Sequence, residues 1–356
     1  MKRVIILTAI IFLFLVFFIF FQVERCEGTI KNIIYVGGSG PGNYSSIQSA
    51  IDNASEGDTI FVYNGTYYEN VIVNKTINIV GENKENTIIN GPISNVTDNL
   101  LIVFYVSANH VNISSFTITN NATDFDLPQP SIFSIGILIK ANNTTIQGNI
   151  IKENTFGISL DNSFYNNITT NNMTDNFIQI NLLGSSENIV ENNDITKNNQ
   201  KPSKFLQVNE SVGVSLDIAY NNTIINNTIS NISGIGIQSS STCENNLLYY
   251  NNFINNTENA NDSGNNRWDN GQHGNYWDDY NQSDKNNDGI GDIYYNIPYG
   301  NNKDKFPLMM PYDGNFRLKE FYVDYQSVFT MLIIGMILVI IFLIPIAYLW
   351  NKKTKF

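Results

Sequence analysis

The sequence predicts an all-β protein, a right-handed parallel β-helix (solenoid) with an N-terminal capping helix, flanked by transmembrane segments. Three observations lead to this prediction. An apolar run lies at each end of the 356-residue chain. Between these runs, an Asn-containing motif recurs at intervals of 21 to 34 residues, and short stretches of alternating β-branched residues separate its copies. Repetition at a fixed period is typical of a solenoid, in which each repeat forms one coil.

The N-terminal segment, residues 1–23, is interpreted as a signal peptide or an N-terminal membrane anchor. Its residues 4–23 form an uncharged, strongly apolar run behind Lys2 and Arg3, and about 20 apolar residues suffice to cross a bilayer. Both kinds of segment begin with basic residues, and no clear A-x-A cleavage pattern follows this run. Both alternatives therefore stay open.

A second apolar run, residues 328–350, predicts a transmembrane helix, and residues 351–356 form a tail with three lysines. Lysine and arginine next to a membrane segment mark its cytoplasmic side. The basic ends of both runs then face the cytoplasm, which places the polar middle of the chain outside it. The sequence thus predicts a cell-membrane protein with an extracellular or periplasmic main domain and a cytoplasmic C-terminal tail.

The polar middle of the chain is strongly acidic. Five of the 20 Lys and Arg residues lie at the two ends, which leaves 15 basic residues against all 32 acidic ones in the middle, a net charge of −17. Such a surface repels phosphate backbones, so nucleic acid is excluded as a partner. The two cysteines, Cys26 and Cys243, are too few for a disulfide framework or a cysteine metal cluster.

The β-helix itself is predicted over residues 36–265. The motif of residues 142–150 recurs at residues 221–229, with looser copies at Asn166 and Asn245. The stretches between copies are predicted to be strands because they alternate at period two and contain many Ile and Val residues. Repeats stacked about 4.8 Å apart bury a continuous interior that one repeat alone cannot form. Asn is expected mainly at tight turns and in ladders of stacked amides.

Both ends of the predicted solenoid need a cover, because an open last coil exposes its core and a strand edge. Residues 44–54 have apolar residues at helical spacing, with Ser45 and Gln48 placed for a capping box. We expect this helix to cover the first coil. Residues 266–312, which are rich in Trp, Tyr and Asp, are expected to cover the last coil.

Two parts of the sequence carry a resemblance to a known family. Residues 44–81, which include Gly-Asp-Thr-Ile and Gly-Thr-Tyr, resemble the first coils of the pectin-lyase-like right-handed parallel β-helix superfamily. The segments 274–280 (Gly-Asn-Tyr-Trp-Asp-Asp-Tyr), 288–292 and 304–308 resemble the closing part of NosD-like periplasmic proteins. The resemblance covers residues 36–311. It implies a right-handed helix and a family with copper-associated accessory proteins and carbohydrate-binding or sugar-cleaving members.

One loop of the C-terminal segment has the spacing of a calcium site. Calcium loops supply oxygen ligands from alternate positions, with glycine at the sixth position for the turn. The corresponding residues are Asp284, Asn286, Asp288, Ile290 and Asp292. Tyr295 stands where a calcium loop has its bidentate Glu, so a distant carboxylate would have to replace that ligand. The alternative is an Asp/Asn/Gly turn that only closes the solenoid.

Glycan cleavage by a polysaccharide hydrolase or lyase is the enzyme hypothesis. Glycoside hydrolysis uses two carboxylates, and Asp278 with Asp279 is the only adjacent pair of aspartates. A lyase needs a basic residue, for which Arg267 is the candidate. No further catalytic motif supports these three residues, so a non-catalytic role is favoured.

Copper binding, which the NosD resemblance implies, calls for His, Met or Cys ligands. His110 and His273 lie far apart in the sequence, and no cluster of soft ligands is evident. A copper-associated accessory role is therefore disfavoured, and calcium is the metal that the sequence favours.

The favoured function is carbohydrate binding, or recognition and scaffolding at the cell surface. Parallel β-helices present long flat faces, and Tyr249 and Tyr250 offer adjacent rings suited to stacking on sugars. Packing in the core or at a turn is the alternative for either ring. Asn-x-Ser/Thr sequons, at Asn64 and Asn112 among others, permit a glycosylated surface. The predicted partners are therefore the membrane and cell-envelope polysaccharides.

Overall fold

The computed structural model describes residues 31–91, 100–120, 133–196 and 210–313. The compact unit that ends at Pro311 contains every helix and strand given below. The apolar runs at 4–23 and 328–350 and the tail at 351–356 lie outside the described residues. Within the described part of the chain, no helix is both long and apolar enough to span a membrane.

The described residues form one helix and 29 strands, numbered here in chain order. The helix is α1 (Ile47–Asn53). The first strands are β1 (Ile33–Val36), β2 (Thr59–Val62), β3 (Gly65–Tyr67), β4 (Val71–Val73), β5 (Asn78–Gly81), β6 (Thr87–Asn90), β7 (Leu100–Val106), β8 (Asn112–Ser114), β9 (Thr117–Thr119), β10 (Phe133–Ile139), β11 (Thr145–Gln147), β12 (Ile150–Lys152), β13 (Phe156–Asp161) and β14 (Asn167–Thr169). The remaining strands are β15 (Asn172–Thr174), β16 (Ile178–Leu183), β17 (Ile189–Glu191), β18 (Asp194–Thr196), β19 (Val212–Asp217), β20 (Thr223–Ile225), β21 (Thr228–Ser230), β22 (Ile235–Ser239), β23 (Glu244–Tyr249), β24 (Asn252–Ile254), β25 (Glu258–Asp262), β26 (Asn265–Arg267), β27 (Tyr276–Trp277), β28 (Tyr295–Asn296) and β29 (Lys303–Asp304).

Three parallel sheets run along the solenoid. Sheet A has ten strands in the order β1-β2-β5-β8-β11-β14-β17-β20-β23-β26. Sheet B has nine, β3-β6-β9-β12-β15-β18-β21-β24-β27, and sheet C has eight, β4-β7-β10-β13-β16-β19-β22-β25. The chain passes from sheet A to sheet B to sheet C and returns to sheet A one rung further along. The predicted all-β solenoid is confirmed.

Inward-facing apolar side chains of successive rungs stack directly on one another. In sheet A one column of the register is filled by Ile146, Ile168, Val190, Ile224 and Leu248. Each of the five is at most 1 % exposed, while the residues on either side point outward, as the two-residue period of a strand dictates. Burial of one such side chain stabilises the fold by at most roughly 1.5–3 kcal/mol.

Two ladders of buried asparagines follow the turns that border sheet A. The first ladder consists of Asn166, Asn188, Asn222, Asn246 and Asn266, and the second of Asn149, Asn171, Asn193, Asn227, Asn251 and Asn275. Within each ladder, the side-chain Nδ2 and the backbone N–H of one Asn both donate to Oδ1 of the next, at 2.8–3.1 Å. The ladders thereby satisfy buried turn backbone that the strands do not reach, which confirms the structural role predicted for Asn.

The residue before each ladder position explains why asparagines occur in pairs. At nine of the eleven ladder positions that residue has left-handed backbone geometry, for example with φ of 55° at Asn221, 56° at Asn226 and 59° at Asn245. Asn tolerates this geometry better than most residues do. The first Asn of a pair therefore forms the turn, and the second enters the ladder.

Each ladder ends at a buried aspartate of the C-terminal segment. Asn266 Nδ2 donates to Asp262 at 2.9 Å, and the Trp268 indole N–H donates to the same carboxylate at 2.8 Å. The backbone N–H of Asn275 donates to Asp304 at 2.7 Å. Both aspartates are 0 % exposed. Aspartate suits the final position because its carboxyl oxygens accept the N–H groups that the last rung presents.

The closure around Asp304 is built from aromatic rings and one glycine. Trp277 stacks between Phe253 and Tyr295, with centroid separations of 4.3 and 4.1 Å, and its indole N–H donates to Asp304 at 2.9 Å. At Gly274 a Cβ would come within 1.7 Å of the Asp304 carboxylate, so only glycine permits this approach. This closure covers the last coil, where the sequence predicts a cap.

The helix α1 packs against the first rungs through buried Ile47, Ala50 and Ile51, but its N-terminal cap differs from the predicted one. The N-cap is Ser46, whose Oγ accepts the backbone N–H of Ser49 at 3.2 Å. The predicted capping box of Ser45 and Gln48 is therefore wrong. The reason is that Glu69, from a later rung, caps the helix instead. Its carboxylate accepts the first two backbone N–H groups of the helix at 2.9 and 3.0 Å.

The other end of α1 is held by a lysine of the same later rung. Lys75 Nζ donates to three carbonyl oxygens at the end of the helix, at 2.7–2.9 Å. The acidic Glu69 at the N-terminus and the basic Lys75 at the C-terminus both interact favourably with the helix dipole. Tertiary contacts therefore stabilise this seven-residue helix, which is too short to be stable alone.

Candidate functional site

The residues predicted to bind or cleave a ligand lie at the C-terminal end of the solenoid. Tyr249 ends β23 and is followed by Tyr250, Arg267 ends β26, and Asp278 and Asp279 follow β27. The structure divides these residues among three features, which we call the acidic cleft, the basic cleft and the aromatic platform.

The acidic cleft has a volume of about 360 Å³ and is lined by Asp278, Asp279, Glu258 and Tyr295, among others. Asn259 Nδ2 donates to both aspartates at 3.0 Å, so the two carboxylates lie close together. The Tyr295 hydroxyl donates to Asp279 at 3.1 Å. The cleft thus presents several carboxylate acceptors together with the Tyr295 hydroxyl, which is held in place by its hydrogen bond to Asp279.

Burial shapes the titration of two side chains in the acidic cleft. Burial, reinforced by the charge of Asp279, raises the pKa of Tyr295 well above its usual range, so this phenol remains a hydrogen-bond donor at neutral pH. Burial, followed by repulsion from Glu210, raises the pKa of Glu258. Such a cleft suits a hydroxyl-rich ligand, whose groups both donate and accept hydrogen bonds.

The basic cleft is a separate depression of about 530 Å³. Arg267 lies here together with Lys303, Lys305 and Phe306, while Asp278 and Asp279 line the acidic cleft. The structure therefore brings the two predicted aspartates together but does not place Arg267 beside them. A single centre made of all three residues is not formed.

The aromatic platform consists of Tyr249, Tyr250 and His273. The ring centroids of the two tyrosines are 5.2 Å apart, and those of Tyr250 and His273 are also 5.2 Å apart. All three residues are partly exposed. The platform adjoins the basic cleft, because β23 pairs with β26 and places Leu247 opposite Arg267.

The loop predicted to bind calcium folds its side-chain oxygens onto its own backbone. Asp284 accepts the N–H groups of Asp288 and Gly289 at 3.2 and 2.9 Å, and Asp288 accepts that of Ile290 at 2.8 Å. Asp292 closes the loop by accepting the N–H of Lys285 at 2.9 Å. Among the described residues, no group of three or more His, Cys, Asp or Glu side chains is placed to hold a metal ion.

Calcium binding by this loop stays a prediction of the sequence. Titration calorimetry of the full-length protein is expected to show calcium binding at or below millimolar concentration, because the five predicted ligands are oxygen atoms. Asp284→Asn should abolish the heat, whereas Glu85→Gln, which removes the same charge at an exposed turn, should leave it unchanged. A flat calorimetric trace for the unmodified protein at millimolar calcium would eliminate the prediction.

The described histidines and cysteine are not placed to form a copper site. His110 and His273 lie on rungs of sheet A that are separated by six strand spacings, which is roughly 30 Å at 4.8 Å per rung. Cys243 and Met173 are fully buried in the core. Among the described residues, His and Cys side chains thus form no group of three or more that could hold copper.

Comparison with known proteins identifies relatives at the level of family and fold. A family model described as "Periplasmic copper-binding protein (NosD)" matches residues 51–282, and no curated protein matches the sequence. Pectate lyase Pel9A has a similar structure, with a TM-score of 0.51 and 14% identity over 69% of this chain and 68% of that one. The Dettilon tailspike protein gives a TM-score of 0.48 and 16% identity, over 69% and 50%. The likeness to the lyase concerns the fold and confirms the pectin-lyase-like right-handed β-helix.

Sequence reasoning missed several residues of this end of the solenoid. Lys303 and Lys305 were not singled out, although the Lys-Asp-Lys alternation around Asp304 is the pattern of a short strand with its aspartate facing inward. Asn259, which joins the two aspartates of the acidic cleft, has no signal that distinguishes it from the many other asparagines.

Proposed function

The chain belongs to the NosD family of periplasmic copper-binding proteins, and from this premise we propose that it works outside the cytoplasm as a polysaccharide-recognition protein. The aromatic platform carries the proposal. Three partly exposed rings with neighbouring centroids about 5 Å apart form a surface on which sugar rings stack through their apolar faces. A copper-dependent role is not proposed, since the described residues lack a matching set of ligands.

Tyr250 is the residue that best tests recognition by the platform, because its ring contacts both Tyr249 and His273. We expect Tyr250→Asn to weaken glycan binding about fivefold, since one stacked ring contributes on the order of 1 kcal/mol. Asn is chosen because φ is 57° at this position, a geometry that Asn tolerates. Binding is measured with the full-length protein on a glycan array and by calorimetry with the best ligand.

Tyr165 provides a matched control for this experiment. It has the same backbone geometry, with φ of 58°, and its side chain is 63% exposed, but it lies several rungs from the platform. Tyr165→Asn should bind glycans like the unmodified protein. Equal losses in both variants, or no glycan binding by the unmodified protein, would refute recognition at the platform.

Polysaccharide cleavage at the acidic cleft is the alternative function. The observation that favours it is the pairing of Asp278 and Asp279 through one amide nitrogen, since two carboxylates are what glycoside hydrolysis uses. Release of reducing sugar that disappears in Asp279→Asn but persists in Tyr250→Asn would establish cleavage instead of simple recognition.

We further propose that residues 328–350 hold the recognition domain at the membrane, with residues 1–23 acting as a signal peptide or second anchor. The length and apolar character of both segments support the proposal. After alkaline extraction of cells, the full-length protein is expected in the membrane fraction and a variant ending at residue 327 in the soluble fraction. Complete release of the full-length protein would contradict anchoring, and mass spectrometry of its N-terminus distinguishes the two roles of residues 1–23.

A further inference from the structure

We propose that the polysaccharide recognised at this end of the solenoid is anionic, and that the basic cleft binds its carboxylate or sulfate groups. The proposal rests on the proposed function and specifies the class of ligand. Its basis is the gathering of Arg267, Lys303 and Lys305 around one depression of about 530 Å³.

The local fold directs all three basic side chains into the cleft. Asp304 points into the interior, where it ends the second asparagine ladder, and alternation along the strand turns Lys303 and Lys305 outward. Arg267 is the outward residue at the end of β26, the last strand of sheet A. The buried aspartate therefore fixes the backbone from which both lysines project.

The three basic side chains are not neutralised within the described part of the chain. The two ion pairs found there are Lys140–Asp161 and Lys152–Glu153. The one acidic residue that lines the basic cleft, Asp269, is buried and accepts the backbone N–H groups of Gly271 and Lys305. The cleft is therefore positive, although the protein as a whole has a formal net charge of −12. An anion is attracted to the cleft and repelled by the rest of the surface.

The basic cleft and the aromatic platform are positioned to act on one ligand. The backbone N–H of Tyr250 donates to the carbonyl of Gly274 at 2.7 Å, and the N–H of Gly274 donates to the carbonyl of Phe306 at 2.8 Å. Tyr250 of the platform and Phe306 of the cleft are thus joined through a single residue. A sugar stacked on the platform has its substituents within reach of the cleft.

The types of basic residue also suit such a ligand. The planar guanidinium of Arg267 matches the geometry of a carboxylate or sulfate, with two parallel N–H donors, while the lysines add compact charges on flexible stems. Because all three side chains are exposed, their attraction is screened by salt. Binding should therefore weaken as the salt concentration rises.

Three polymers with one backbone test the inference: dextran, carboxymethyl-dextran and dextran sulfate. With the full-length protein in low salt, at least one charged polymer is expected to bind tenfold or more tightly than dextran. The stronger of the two identifies carboxylate or sulfate as the preferred group. In the triple variant Arg267→Gln, Lys303→Gln, Lys305→Gln, the affinity should fall to that for dextran.

A second triple variant controls for overall charge. Lys31→Gln, Lys84→Gln and Lys152→Gln remove the same three charges from scattered positions, and this protein should keep its preference for the charged polymer. Equal losses in both triple variants would mean unspecific attraction and overturn the inference. Equal binding of charged and neutral polymers by the unmodified protein would overturn it too, yet leave recognition at the platform intact, because Tyr250→Asn tests that separately.

Discussion

Replacing Asn227 by Asp is expected to lower the free energy of unfolding by roughly 3–5 kcal/mol, the range for a buried charge left without a partner. Asn227 Nδ2 donates to the carbonyls of Val190 and Ile225 and to Asn251 Oδ1, at 2.9–3.0 Å. A carboxylate oxygen in its place faces three acceptors in a site that is 0 % exposed. The shape of the side chain is unchanged, so the loss reports hydrogen bonding and charge rather than volume.

Chemical denaturation at pH 7 measures this effect. Asn74→Asp serves as the control, because it introduces the same charge at an exposed position and should change stability by less than about 0.5 kcal/mol. Protonation restores a donor at the mutated site, so the deficit of Asn227→Asp should shrink toward pH 4. Equal stability of the two variants would show that the ladder contributes nothing beyond packing.

The second large effect concerns the pH dependence of stability. Burial raises the pKa of Asp304 to about 7, from an ordinary value of 3.8. The folded protein then binds this proton more tightly than the unfolded chain does. The contribution of Asp304 to stability is complete below about pH 4 and is lost as the pH rises through 7. The loss is on the order of 4 kcal/mol at about 1.4 kcal/mol per pKa unit.

Unfolding of the unmodified protein and of Asp304→Asn at pH 5 and pH 8 isolates this contribution, since Asn is neutral at both values. From pH 5 to pH 8, the free energy of unfolding of the unmodified protein should fall by several kcal/mol more than that of the variant. Identical pH dependence in both proteins would disprove a raised pKa. Should the variant not fold, the indole N–H resonance of Trp277, which donates to Asp304, gives a second measurement and should titrate near pH 7.

The repeat was sufficient to predict the solenoid because each rung obeys the same local rules. Alternation placed Ile146 and Ile168 inward, and a fixed spacing stacked them. The paired asparagines likewise indicated turns and ladders. The direction of the hydrogen bonds along the ladders could not be predicted from the sequence, because the orientation of each amide depends on the rungs both before and after it.

Contacts between distant segments were the part that the sequence did not reveal. Glu69 caps the helix from 22 residues away, which no local capping rule anticipates. Asp304 reaches Asn275 across 29 residues, and the basic cleft exists only because that contact brings Lys303 and Lys305 to the end of sheet A. The candidate residues Tyr250, Asp278 and Asp279 were found by their type, whereas their grouping required the structure.

The head-to-tail order of the asparagine amides has a consequence for how such rods change length in evolution. A duplicated unit of 22 residues would carry the amide acceptor at one end and the N–H donors at the other. These are the groups that its new neighbours require, so a whole unit can be inserted without interrupting the ladder. The repeat from Asn188 to Asn222 is longer, at 34 residues, yet the two amides remain hydrogen-bonded at 3.0 Å. A longer repeat therefore keeps the asparagine ladder in register. Gene segments can therefore lengthen this molecule while its distal tip stays unaltered.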